Sequence, residues 1–365
     1  MLMFGLQDSR KTIHKGKKVR KLIMKFKKWM AALLAGTLCM GMMAGCGFTP
    51  INAEEAAEET TAFAGELELI LSQKDEYLSY LDQAAKASAE AHGCTLSSLD
   101  CGGDMDKQLE YVKAAAESEA GAILVVLADD TRAGEVIEAA GDKPVVFVNR
   151  IPQDESVLDE THVYVGSDED MSGTYQGEAL AAYFEKQGKD NVNYLLFKGT
   201  EGLIHTTKRS EGAIRALEAA GISANAAEEP VDCGYDRAKA MEQMTVMLAN
   251  GLDMSEIDCI IANNDAMALG VIEALKQNNV DMSSIAIVSV DGTNAGLQAI
   301  RDGEMLATVH QDAVGQASGA VQAAINLAGS ADLMEGISYE QDEDNSFVIW
   351  VPFEPVTADN VDDFN

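Results

Sequence analysis

The stretch 257–274, IDCIIANNDAMALGVIEA, decides the fold. A short apolar run (Ile257, then Cys259 to Ala262) stops at Asn263-Asn264-Asp265, and apolar or small residues recur at Met267, Leu269, Gly270 and Ile272. That is a buried strand feeding directly into a helix. In an open parallel α/β sheet, ligands bind beyond the carboxyl ends of such strands, so Asn264 and Asp265 stand where binding groups belong. Either side chain can equally cap the first free N–H groups of the helix.

The same unit recurs on both sides of this stretch. Towards the amino terminus, 66–72 (ELELILS) is a strand, followed by a helix with Leu78, Leu81, Ala85 and Ala89 on one face and Gly93 at its stop. A strand at 94–99, a helix to about residue 119, and a doubly buried strand at 121–127 (GAILVVL) come next. A helix with Val136 and Ile137 then leads to the strand 145–148, which ends at Asn149-Arg150. Four strand–helix units in succession predict a parallel, right-handed, doubly wound sheet.

The pattern then restarts. Strands are expected at 161–165 and 193–198, with helices over 170–186 and 205–220 and a polar strand ending at Val231. A helix aligning Met241, Met244, Met247 and Leu248 precedes the opening unit, and its methionines read as core filler. Strands at 285–290 and 305–309 complete the series. The expected fold class is therefore α/β, with two doubly wound parallel-sheet lobes facing each other across a cleft.

Charge is distributed unevenly along the 365 residues. Residues 1–45 hold ten Lys or Arg and one acidic residue, Asp8, leaving 17 basic against 59 acidic residues, a net charge of −42, on the rest. Such a surface repels nucleic acid and anionic lipid, which argues against both as partners of the folded part. Lys25, Lys27 and Lys28 precede an apolar run over 29–44 that is too short for a comfortable membrane span. Its end, Met43-Ala44-Gly45-Cys46, resembles the bacterial lipoprotein signal, which makes Cys46 the expected lipid-modified first residue of the mature chain. Residues 1–45 are read as the signal, with Met24 as the natural start and 1–23 lying upstream of it. The segment 46–62 is read as a lipid-anchored flexible tether; its fifteen residues 47–61 can reach ~50 Å when extended.

Cys94 and Cys101 bracket one expected strand, roughly 23 Å apart at ~3.3 Å per residue, too far to bridge. With Cys233 and Cys259 they are read as free, mostly buried thiols.

The strand ends collect Asp75, Tyr77, Asn149, Arg150, Arg209, Tyr235, Asn264, Asp291 and Gln311. Asp and Asn exchange hydrogen bonds with neighbouring hydroxyls, Arg holds two oxygens at once, and aromatic rings cover the apolar faces of a pyranose. Each residue alone could be a cap or a solvated loop side chain; their joint occurrence suggests a polyhydroxyl ligand. Enzyme readings lack their motifs. There is no GxGxxG, GxxxxGK[ST] or GxSxG, and His92, His162, His205 and His310 lack metal-ligand spacing. No catalytic residue, metal or cofactor is expected.

VVFVNRIP (145–152), YLLFKGTEG (194–202), IIANNDAMALGVIEALK (260–276) and the closing VIWVPFEPVTADNVDDF resemble the type I periplasmic sugar-binding proteins of ABC transporters, the galactose and glucose binders above all. The resemblance implies two lobes joined by a three-strand hinge, with crossings near 166–167, 311–312 and 347–351. That gives an N-terminal lobe of 63–166 plus 312–346 and a C-terminal lobe of 167–311 plus 347–365. It also implies that Asp75, Tyr77 and Asn149 hold sugar from the first lobe and Arg209, Tyr235, Asn264, Asp291 and Gln311 from the second. Tyr235 stands where the family has Trp. The family's His and Asp before the Arg are replaced by Leu203 and His205, which puts glucose or galactose in doubt and adds His205 to the candidate ligands. The family's calcium loop is absent between residues 187 and 192. The implied protein is a monomeric, lipid-anchored, extracytoplasmic binder on the outer face of the bacterial membrane, delivering a hexose, pentose or close derivative to an ABC permease. The alternative is a sensory receptor presenting its closed form to a chemoreceptor or sensor kinase.

Overall fold

The computed structural model describes residues 63–364, so the expected signal, Cys46 and the tether lie outside the described residues. The first lobe is wound from β1 (Glu66–Leu71), α1 (Glu76–Ala91), β2 (Thr95–Asp100), α2 (Met105–Ala116), β3 (Ala120–Val125), α3 (Ala133–Ala140), β4 (Val145–Val148) and β5 (His162–Gly166). The second holds α4 (Glu169–Gln187), β6 (Asn191–Lys198), α5 (Ile204–Ala219), β7 (Ser223–Ala226), β8 (Val231–Asp232), α6 (Arg237–Ala249), β9 (Cys259–Ala262), α7 (Asp265–Gln277), β10 (Ala286–Asp291), α8 (Asn294–Arg301) and β11 (Ala307–Gln311). The chain then returns to the first lobe through α9 (Ala313–Ala328), β12 (Glu340–Gln341) and β13 (Val348–Trp350), and ends on the second with β14 (Phe353–Thr357).

The sheet orders are β2-β1-β3-β4-β5-β13-β12 and β7-β6-β9-β10-β11-β14, with β8 beside β6. Both cores are parallel and run in the same order, and only β12 and β14 pair antiparallel, at the edges. Each order reverses once, between β1 and β3 and again between β6 and β9, which opens a crevice at the carboxyl edge of each sheet. Apolar side chains bury both faces of each sheet. Leu69, Leu124 and Val146 pack one face of the first sheet and Ile70, Ile123 and Phe147 the other. Ile260 and Ile287 against Ile261 and Val288 do the same in the second. At ~1.5–3 kcal/mol per buried side chain, these layers hold the strand ends rigidly in place.

Three short segments join the lobes: Ser167-Asp168 after β5, Asp312 after β11, and Val351-Pro352 after β13. The third crossing corrects the expected boundary at residue 347. Residues 348–350 pair parallel with Tyr164, Val165 and Gly166, so they extend the first sheet before the chain leaves it. The expected polar strand ending at Val231 is two short strands, β7 and β8, separated by a segment ending in Pro230, which cannot donate to the ladder. Cys94, Cys101, Cys233 and Cys259 are free and buried.

Candidate functional site

A cavity of about 20 Å³, roughly room for one water molecule, lies between the lobes. It is lined by Asp75, Tyr77, Leu78, Asn149, Arg150, His205, Arg209, Tyr235, Asn264, Asp291 and Gln311. All ten candidate ligand residues thus converge on one space, with Leu78 as the one addition. Leu203, which with His205 replaces the family's His and Asp, packs into the core of the second lobe. Asp265, the other candidate of the opening stretch, is a structural clamp. Its buried carboxylate accepts from Ser289, from Thr308 Oγ1 at 2.6 Å and from the Thr293 N–H at 2.7 Å, tying α7 to β10, β11 and the start of α8.

Local backbone explains how each side chain reaches the cavity. Asp75 is the N-cap of α1, and its Oδ1 accepts from the Leu78 N–H at 2.8 Å. Asn264 caps α7 in the same way, accepting from the Met267 N–H at 3.0 Å. Asn149, Tyr235 and Asp291 have φ of 68°, 64° and 122°, the left-handed side that non-glycine residues avoid. Three such residues on one cavity is the concentration of strain expected at a binding site. Tyr235 lies over Gly199, where a Cβ would come within 1.9 Å of its ring, so only glycine admits it there. Its hydroxyl shares a 2.7 Å hydrogen bond with Thr206, and its ring stacks on His205 at 5.5 Å between centroids.

Two residues that sequence reasoning missed organise the rest. Glu169, in the first turn of α4, grips Arg209 with both oxygens: Nε at 2.8 Å and Nη2 at 2.7 Å. Arg209 also donates to the Asn263 carbonyl at 2.9 Å and to Gln311 Oε1 at 3.3 Å, and lies 3.6 Å from Asp291. The helices carrying this pair touch closely: a Cβ on Gly173 of α4 would come within 2.5 Å of the Lys208 carbonyl of α5. Gln316, on α9, accepts from the Tyr77 hydroxyl at 3.1 Å and from Asn149 Nδ2 at 3.2 Å, and donates to Ser167 Oγ at 2.8 Å. It therefore links two cavity residues to the first crossing segment.

Hydrogen-bonding capacity is left over where the lobes meet. Among the described residues, Arg150 Nε, Asp291 Oδ2 and Gln311 Nε2 are buried without a partner. A donor from the first lobe, and an acceptor and a donor from the second, beside two tyrosines, can together hold a molecule dense in hydroxyls. No described group of His, Cys, Asp and Glu is placed to hold a metal ion.

Electrostatics divide the cavity. Burial pushes the Asp291 carboxyl well above its usual 3.8, with Arg209 opposing and Asp265 and Asp75 reinforcing. Burial, then Arg150 and Arg209, push the His205 imidazole well below 6.5, so it is a neutral group near pH 7. The consequence for stability has a definite sign. Below ~6.5 the unfolded chain binds a proton at this position that the folded chain refuses, so stability is lost as pH falls. Melting temperatures measured from about pH 8 to about pH 5 are expected to fall more steeply in the parent than in His205→Gln. Parallel curves would show that His205 is not held neutral.

Comparison with known proteins places this geometry. Residues 69–331 match the family model described as "Periplasmic binding protein domain". The chain is 32% identical over 255 residues to the D-galactose/methyl-galactoside binding periplasmic protein MglB of Haemophilus influenzae, covering 67% of this chain and 74% of that one. It is 27% identical over 263 residues to the ribose import binding protein RbsB of the same organism, covering 72% and 82%. A crystal structure of an ABC transporter solute binding protein from Bacillus halodurans with bound myo-inositol superposes with a TM-score of 0.70 at 26% identity, covering 83% and 98%.

Proposed function

The chain belongs to the periplasmic binding protein domain family, and from that premise we propose that it is an extracytoplasmic solute-binding protein. It captures a monosaccharide, or a close polyol derivative, between its lobes and delivers it to an ABC importer. It is a binder and not an enzyme. The observation that carries this reading is the convergence of unpartnered buried polar atoms from both lobes on one cavity beside Tyr77 and Tyr235. Sugar hydroxyls both donate and accept, so one such ligand satisfies Asp291 Oδ2 and Gln311 Nε2 together. The relatives' named ligands, galactose, ribose and myo-inositol, mark the range of the panel rather than the choice within it.

The proposed ligand set is Asp75, Tyr77, Asn149 and Arg150 from one lobe and His205, Arg209, Tyr235, Asn264, Asp291 and Gln311 from the other. A cavity of about 20 Å³ admits no sugar unless the lobes part. Ser167-Asp168, Asp312 and Val351-Pro352 are the proposed hinge, and closure around the ligand is the form offered to the permease. Cys46 is the proposed lipid attachment, with residues 47–62 as the tether that holds a monomeric binding domain off the membrane; mass spectrometry of the membrane-bound protein tests for the acyl chains. The function is tested by thermal unfolding against hexoses, pentoses, amino sugars, inositols and nucleosides. Ligand at ~1,000 times its dissociation constant adds ~4 kcal/mol of stability. A response to one sugar or inositol is expected. A response to nucleosides alone would overturn the ligand class.

A further inference from the structure

Helix α5 carries both His205 and Arg209, yet its own lobe does not cap it. Its N-cap residue is Leu203, whose side chain makes no capping hydrogen bond. The neighbouring helices α4, α6 and α7 are capped by Asp168, Asp236 and Asn264 from their own N-cap positions. For α5 the acceptor comes from across the cleft. Asp130, in the turn after β3 of the first lobe, places Oδ2 2.7 Å from the Ile204 N–H, the first residue of the helix. Asp130 is 1% exposed and is pre-set within its own lobe, where its carbonyl accepts from the Gln153 N–H at 2.9 Å.

We propose that Asp130 is a closure-positioning residue: it gives α5 its cap only when the lobes are shut, and so sets the balance between open and closed forms without touching the ligand. When the lobes part, the helix N-terminus loses an acceptor at its positive end and the Asp130 carboxyl loses its donor, which favours closure. Burial of Asp130, whose Oδ1 has no partner in the closed form, works against it. The cap makes binding tighter than the ligand contacts alone provide, because it is made in the closed, ligand-bound form and is absent from the open form that admits the ligand. A second contact between the lobes, Arg237 to Glu76 at 3.3 Å, is partly exposed and shared with Glu273 at 2.9 Å, so salt screens it. This inference rests on reading the lobes as a closing pair, but not on which ligand they hold.

The test therefore starts without ligand. Glu76 and Arg237 meet at their side-chain tips across the mouth, a span too long for a direct disulfide, so Glu76→Cys with Arg237→Cys in the full chain, bridged by a short bifunctional maleimide, traps each closure. Asp130→Ala in that background is expected to slow trapping about tenfold, the effect of one hydrogen bond to a charged acceptor. Asp130→Asn, which keeps an oxygen acceptor but no charge, should fall between the two, and covers the case in which the alanine variant folds poorly. With a responding sugar from the panel, Asp130→Ala should speed dissociation and leave association nearly unchanged, a split that general destabilisation does not produce. Equal trapping rates with Asp130 and with Ala, or no trapping in either, would overturn the proposal. Failure of every sugar would overturn the ligand class and leave the trapping rates to judge Asp130 on their own.

Discussion

Asp291→Asn is expected to abolish sugar binding and, at the same time, to raise the melting temperature of the sugar-free protein near neutral pH. The binding loss follows from chemistry: a carboxylate accepts from two hydroxyls, whereas an amide replaces one acceptor with a donor. Each hydrogen bond to a charged group contributes ~1.5–3 kcal/mol, so losing one or two weakens binding by roughly tenfold to ten-thousandfold. The stability gain follows from burial. Asp291 is 4% exposed, its Oδ2 has no partner, and Arg209 is already held by both oxygens of Glu169. Burial, the largest cause, raises its pKa well above 3.8, so the folded protein gives up this proton less readily than the unfolded chain. Stability therefore falls as pH rises from 3.8 through the raised value, and at pH 7 burying this carboxyl costs stability. Asn removes that cost, and a gain of ~1 kcal/mol moves the melting temperature by about 2 °C or more. The advantage should shrink as pH is lowered towards 3.8. Calorimetry of both proteins across pH, with titration of the responding sugar, checks both halves. Wild-type affinity, or a lower melting temperature at neutral pH, would sink the assignment. Asn264→Ala is a less clean probe, because Asn264 also caps α7 and its loss costs ~1 kcal/mol of stability on that ground alone.

The same burial that makes Asp291 costly explains what could be read from sequence. Strand ends were legible because β3, β4, β9 and β10 are apolar runs that stop at a polar residue, and the parallel α/β architecture brings such stops to one edge. Asn149, Asn264 and Asp291 were found that way. Glu169 was not, since an acidic residue in the first turn of a helix is ordinary and nothing in the sequence says that it faces Arg209 rather than solvent. Gln316 was missed with its whole helix. AVGQASGAVQAAINLA is so rich in Ala and Gly that it shows no apolar stripe against a polar face, and α9 is buried along most of its length. The third crossing was misplaced for a related reason: β13 is three residues long, too short for a period to distinguish it from the crossing segment that follows. The interlobe cap from Asp130 could not be read at all, because it joins residues 74 apart in different lobes.

Removing Glu169 should produce the largest loss of stability of any single change at the site. Its pair with Arg209 is buried on both sides, at 4% side-chain exposure each, and Ser172 Oγ donates to the same carboxylate at 2.8 Å. Breaking a buried pair by deleting one partner leaves an uncompensated charge and costs ~3–5 kcal/mol. Glu169→Ala is therefore expected to lower the denaturation midpoint sharply and to lose sugar binding, because Arg209 would be free to turn towards Asp291. Glu169→Met combined with Arg209→Met separates the two effects. Replacing both charges with apolar groups of similar volume is often neutral for stability, so the double variant should recover most of the lost midpoint. It should recover none of the binding, since the guanidinium that faces Asp291 and Gln311 is gone. Position adds a reason to expect coupling to closure: Glu169 follows the first crossing at Ser167-Asp168 directly, and Gln316 holds Ser167 from α9. Movement at that crossing thus reaches Arg209 through one rigid turn of α4. Urea denaturation and calorimetric titration of the three proteins decide the matter. A Glu169→Ala protein as stable as the parent and binding equally well would show that Arg209 is positioned without its carboxylate. A double variant that stays as unstable as the single one would show that the pair contributes net stability here rather than orientation.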